Sequence, residues 1–176
     1  MIDESVDESA LVVLVPEAER VVGRWRAELD SSASLGVPAH ITLLYPFAAA
    51  DSITDELIDE VGTTIRGFGS FPYRLDAARW FDDSVMWLAP NPAAPFAALT
   101  RMLMRAFPRF PPYGGAFGDD VVPHLTIGDR APVERLEEAA RSVSRLLPID
   151  ARADEVALLV RGGSTKWRVA GAVPLG

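Results

Sequence analysis

The chain has only two histidines, and both sit in the same local setting. His40 lies in VPAHITLLYPF (37–47) and His124 in VPHLTIG (122–128), each followed two positions later by a threonine, Thr42 and Thr126. In an extended strand the side chains at i and i+2 share a face, roughly 6.5–7 Å apart. Imidazole and hydroxyl therefore point together in both segments, while Ile41, Leu43, Leu125 and Ile127 point the other way. A proline stands just upstream each time (Pro38, Pro123), which suits a strand entry that needs no ladder donor.

A single histidine on a strand is more often structural than functional. Threonine is scarce here, however, and both histidines having it at +2 by accident is roughly a 0.2% event. Two lone imidazoles leave a zinc site short of ligands. No serine sits on a Gly-x-Ser-x-Gly elbow, so a nucleophilic triad fits poorly. Acid–base chemistry on a phosphodiester fits well. Imidazole titrates near neutrality, so one ring can take a proton while the other gives one. The threonine hydroxyls can donate to non-bridging phosphate oxygens, where charge builds in the transition state.

The elements that must hold these groups are legible in outline. Residues 1–9 read as a disordered acidic tail and 10–176 as one domain. ALVVLV (10–15) reads as a buried central strand, and Pro16 opens a helix with acids early and arginines late. HITLLYPF is a strand, and residues 55–68 carry apolar side chains at helical spacing. FPYRLDAARWF and SVMWLAP form a hairpin across Asp82 and Asp83. A helix over 93–107 ends at Pro108, and PRFPPYGGAFGDD is a loop. VVPHLTIG is a strand and PVERLEEAARSVSRLL a helix. ADEVALLVRG and KWRVAGAVPLG close the chain as a hairpin through GGST. Each half thus holds one histidine strand, a helix following it and a hairpin. Hairpins mixed with crossovers predict an α+β fold with mainly antiparallel sheets.

Composition narrows the partners. The net charge is −8 with no block of Lys or Arg, so extended nucleic acid is not an expected ligand, whereas a local pocket can still take a small anion or one nucleic-acid end. There is no cysteine, which excludes disulfides and thiolate metal sites. The acidic start and the lack of a long apolar run predict a cytoplasmic protein with no membrane partner.

HITLLYPF and PHLTIG, about eighty residues apart, resemble the 2H phosphoesterase superfamily, also described as 2′-5′ RNA ligase-like, which is named for two H-x-[ST] motifs flanked by apolar residues. The resemblance runs from residue 10 across essentially the whole chain. It implies a bilobal fold, two pseudo-symmetric antiparallel sheets facing a central cleft with helices outside, each lobe giving one motif. It maps His40 and His124 onto the catalytic positions and Thr42 and Thr126 onto the phosphate-binding ones. It further implies action on 2′,3′-cyclic nucleotides, ADP-ribose cyclic phosphate, RNA ends or 2′-5′ linkages, without metal or other cofactor. The alternative is a non-catalytic nucleotide- or RNA-end-binding protein of the same fold.

Other positions carry weaker signals. Tyr113 and Phe117, in the loop before the second motif, are candidates to stack on a base. Strict alternation puts Tyr45 on the helix side, as core. Trp25, Trp80, Trp87 and Trp167 read mostly as core packing. Arg161, Lys166 and Arg168 flank the last turn and read as solvated charge rather than an anion clamp. A monomer is expected.

Overall fold

A computed structural model describes residues 7–116, 121–163 and 166–176 of the protein. The elements are β1 (Glu8–Leu14), α1 (Glu19–Leu29), α2 (Ser31–Ser34), β2 (His40–Leu44), α3 (Asp55–Ile65), β3 (Phe71–Phe81), β4 (Val85–Asn91), α4 (Ala94–Ala106), β5 (Leu125–Asp129), α5 (Val133–Ser144), β6 (Ile149–Ala153), β7 (Glu155–Arg161) and β8 (Arg168–Pro174). The strands build two four-stranded sheets, ordered β2-β1-β7-β8 and β5-β4-β3-β6. Every pairing is antiparallel. The fold class is the α+β, two-sheet arrangement expected from the sequence.

The unbroken apolar run of β1 has a physical cause. Leu11 and Val13 enter the main core beside Ile41 and Leu43, while Ala10 and Val12 join Val37, Ala157 and Leu159 in a second cluster on the opposite face. A strand covered on both faces need not alternate.

The lobes are not the two halves of the chain, and here the structure corrects the sequence reading. The β3–β4 hairpin that follows the first motif belongs to the sheet of the second motif. The final β7–β8 hairpin belongs to the sheet of the first. The helices cross over as well: α1 packs behind β5 and α4 behind β2. Each histidine strand therefore lies at a sheet edge, backed by a helix from elsewhere in the chain.

Gly128 permits the approach of α1 to β5. A Cβ there would lie 2.5 Å from Leu136 Cδ2 and 2.8 Å from Leu29 Cβ, so only glycine lets α1 and α5 sit this tightly against β5. At the start of α3, Thr54 accepts a hydrogen bond from the Leu57 amide, with Asp55 and Glu56 in the first turn, a cap that suits the helix dipole.

Several boundaries differ from expectation: β2 ends at Leu44, and β5 begins at Leu125, so His124 stands just before its strand. β6 was not foreseen: IDARA alternates in burial, but its inward residues after Ile149 are alanines, too small to give a strand signal. Glu8 and Ser9, expected in the tail, begin β1. The Ser9 hydroxyl donates to Ala48 O at 2.6 Å, and this bond helps order the segment. Residues 1–6 lie outside the described part.

Candidate active site

Both histidine strands carry a β-bulge at the same place. In β2, Val12 faces Thr42 but Leu11 faces Leu44, so Leu43 is the extra residue. In β5, Trp87 faces Thr126 but Met86 faces Gly128, so Ile127 is the extra residue. A bulge places two successive residues on one side and reverses the alternation beyond it. Leu43 and Leu44 are accordingly both buried, as are Ile127 and Gly128. The cleft face therefore reads His40, Thr42, Tyr45 on one strand and His124, Thr126, Asp129 on the other, and all six line one cleft of about 1020 Å³.

The four apolar neighbours behave as expected: Ile41, Leu43, Leu125 and Ile127 are buried. Burying each such side chain is worth about 1.5–3 kcal/mol. A one-residue slip would exchange these four for the imidazoles and hydroxyls, so the burial fixes which groups meet the cleft.

The two rings are held alike. His40 Nδ1 lies 2.8 Å from Pro38 O, and His124 Nδ1 lies 2.7 Å from Val122 O. A carbonyl can only accept, so Nδ1 carries the proton in both neutral rings and Nε2 presents its lone pair. With Nδ1 engaged, Nε2 is the atom left to meet a ligand. Among the described residues, no hydrogen bond within the protein engages the Thr42 or Thr126 hydroxyl.

Their electrostatic settings differ. Burial is the main reason His40 is lowered to about 4; the Pro38 carbonyl works against it, and the charges of Arg26 and of His124 add to the lowering. His124 is also lowered by burial, opposed by the Val122 carbonyl. Its ring lies edge-on to Phe81 at 5.0 Å and to Trp87 at 5.7 Å, and those two rings stack on each other at 4.6 Å. One imidazole thus sits near the buried Arg26–Asp30 pair, whose two charges act on it in opposite directions, and the other against an aromatic wall.

Tyr45 corrects the sequence reading. It lines the cleft rather than the core, because the bulge at Leu43 turns it round. Its hydroxyl donates to Glu8 Oε2 at 2.6 Å, and burial together with that bond raises its pKa. Tyr113 and Trp167 stand beside it, at 6.1 and 6.3 Å between ring centres. Tyr113 has φ 49°, and its amide donates to Tyr45 O at 2.8 Å, so the loop is pinned to the end of the first motif. The structure thus brings Tyr113 to the cleft, whereas Phe117 lies outside the described residues. Trp80 and Trp167 line the cleft, unlike the buried Trp25 and Trp87. Arg161 also lines it, 3.5 Å from Glu8, while Lys166 and Arg168 are exposed.

Sequence reasoning missed Arg26, Asp129 and Glu8. Asp129 accepts from the Ser31 amide at 2.8 Å and the Ser31 hydroxyl at 2.9 Å, joining β5 to the start of α2. Asp129 adjoins the second motif and Arg26 lies in the last turn of α1, whereas Glu8, at the start of β1, carries no such signal. Among the described residues no group of three or more His, Cys, Asp or Glu is placed to hold a metal ion, and no helix is long and apolar enough to cross a membrane.

Comparison with solved structures shows the same fold. E. coli LigT in complex with 3′-AMP is 19% identical with TM-score 0.57, over 97% of this chain and 98% of that one. LigT has also been solved with NADP+, at 18% identity and TM-score 0.58 over 97% and 98%. TT0787 of Thermus thermophilus is 18% identical with TM-score 0.60, over 96% and 97%. No curated protein sequence matches the chain. The family model described as the 2′-5′ RNA ligase superfamily matches residues 14–165, a span that includes both histidine strands. The chain belongs to this superfamily, the 2H phosphoesterases.

Proposed function

We propose that the protein is a metal-independent phosphoesterase that opens a cyclic phosphodiester, or cleaves or joins a 2′-5′ linkage, on a nucleotide or RNA end. The observation that carries this reading is the shared tautomer: both Nδ1 atoms are engaged by carbonyls two residues upstream, which leaves both Nε2 atoms for one cleft. A cleft of about 1020 Å³ suits a nucleotide-sized ligand, in keeping with the 3′-AMP bound by LigT.

In the hydrolytic direction one Nε2 accepts a proton from water as its oxygen forms a bond to phosphorus. The bond from phosphorus to the leaving ribose oxygen breaks, and the other Nε2–H protonates that oxygen. Thr42 and Thr126 donate to the non-bridging oxygens, whose charge grows in the transition state. We assign the base to His40 and the acid to His124. Burial first, and Arg26 against the opposing charge of Asp30, disfavour a proton on His40, whereas rings centred 5.0 and 5.7 Å from His124 can accommodate a cation. Burial keeps the proton off both rings in the empty cleft, and the charge of a bound phosphate draws one back to His124. Tyr113, Tyr45 and Trp167 form the end of the cleft suited to a base or other flat ring.

The test is a metal-free assay of the protein, with and without EDTA, on 2′,3′-cyclic nucleotides, ADP-ribose cyclic phosphate and 2′-5′-linked dinucleotides. Turnover that survives EDTA is expected. Tight binding without turnover would instead make the protein a nucleotide-binding module, and activity restored only by a divalent ion would overturn the acid–base mechanism.

A further inference from the structure

Arg26, on α1, is 2% exposed, and its guanidinium reaches β5 and the segment that leads into β2. Its Nε donates to Thr126 O at 3.2 Å and one terminal nitrogen donates to Val37 O at 3.2 Å. The same Nε–H is shared with Asp30 Oδ2 at 2.9 Å, and the other terminal nitrogen donates to that oxygen at 2.7 Å. Asp30 Oδ1 accepts from the Ser32 amide and hydroxyl at 2.9 and 2.8 Å. The same helix also holds the entry to β2 through Glu19, whose Oε1 accepts from the Ala39 amide at 2.6 Å.

A helical Arg–Asp pair at i,i+4 needs no main-chain partner outside its own helix. Here one terminal nitrogen donates to a carbonyl 11 residues away and the shared Nε–H reaches a carbonyl 100 residues away, one in each motif segment. Val37 adjoins Pro38, whose carbonyl takes the His40 Nδ1 proton. Thr126 is the threonine of the second motif, two residues after His124. Thr126 belongs to the edge strand β5 and Val37 to the segment leading into β2, and a buried carbonyl without a ladder partner requires one from elsewhere. A planar fork of donors with fixed angles can fix the relative placement of two such carbonyls; an ammonium on a flexible stem cannot.

We propose that Arg26 is a positioning residue that sets the placement of one imidazole relative to the other, acting through the main chain of Val37 and Thr126. This rests on the two-histidine reading of the cleft. In-line displacement needs one Nε2 at the attacking oxygen and the other at the leaving oxygen of the same phosphorus, and a displacement of about 1 Å can cost 10²-fold in rate.

The test compares wild type with Arg26→Lys, which keeps the charge and loses the fork. Expected are a kcat lowered about 10–100-fold, a KM within about threefold of wild type, and imidazole ¹⁵N spectra that no longer show a uniform Nδ1–H tautomer in both rings. Leu57→Ala, in α3, serves as a destabilised control and should lower the melting temperature without touching kcat. Should Arg26→Lys not fold, Arg26→Met with Asp30→Asn, which leaves no lone buried charge, carries the same comparison. A folded variant with wild-type kcat and unchanged imidazole spectra overturns the proposal. If wild type turns over no substrate, the catalytic reading fails, and the spectra alone still decide whether Arg26 positions the rings.

Discussion

Replacing Gly128 by alanine tests the packing that brings α1 to the second motif. The new Cβ would stand 2.5 Å from Leu136 Cδ2 and 2.8 Å from Leu29 Cβ. The leucine methyl can rotate aside, but Leu29 Cβ moves only with the backbone of α1. Restoring ordinary carbon–carbon contact at about 3.5 Å requires α1 to retreat by roughly 0.7 Å. Overpacking of this kind costs about 1–3 kcal/mol, which for a chain of this length lowers the melting temperature by about 2–12 °C. The same retreat stretches the bond from Arg26 Nε to Thr126 O, already 3.2 Å, out of hydrogen-bonding range. Thermal unfolding by circular dichroism and steady-state kinetics on a cyclic nucleotide should therefore fall together, with kcat down by about tenfold or more. Gly62→Ala is the matched control, because its Cβ would meet only one methyl, of Val173, at 3.3 Å. A helical Gly→Ala change there should be neutral or stabilising. A Gly128→Ala protein that melts within a degree of wild type and keeps its kcat would refute the packing argument.

Three further outcomes are expected. Because His40 is lowered to about 4 in the folded protein against about 6.5 when unfolded, the unfolded chain takes the proton first on acidification. The stability from this group is thus full above pH 6.5 and lost as pH falls toward 4, by at most about 3 kcal/mol and less for a ring partly open to water. Urea titrations of wild type and His40→Gln should converge over that window, and parallel curves would argue against the burial of His40. Thr42→Val and Thr126→Val each remove one hydrogen bond to phosphate while leaving proton transfer in place, so each should lower kcat less than loss of a histidine does. Tyr113→Ala should raise KM for a nucleotide by the equivalent of about 1–3 kcal/mol if its ring stacks on a base, with kcat little changed; an unchanged KM would remove Tyr113 from the binding surface.

The site was legible in the sequence wherever the signal is local. His40, Thr42, His124 and Thr126 share a face because strand periodicity is two, and the structure places them so. Periodicity failed at Tyr45 because a bulge at Leu43 adds a residue that no composition marks; the matching bulge at Ile127 hides Asp129 in the same way. Arg26 was invisible for a different reason. Its partners, Val37 O and Thr126 O, are main-chain atoms, and carbonyls carry no sequence signature. The pairing of strands into lobes was misread because hairpins announce themselves locally while the choice of neighbouring sheet depends on long-range packing. β6 escaped because its inward alanines are too small to give a strand signal.

The most direct measurement is turnover of a 2′,3′-cyclic nucleotide by His40→Ala, His124→Ala and the double variant, alongside nucleotide affinity in each. The account predicts that either single change lowers kcat by roughly 10²–10⁴-fold with affinity largely kept. The double change should lose far less than the product of the two, since residues that act as one unit are not additive. Undiminished turnover in either single variant would contradict it.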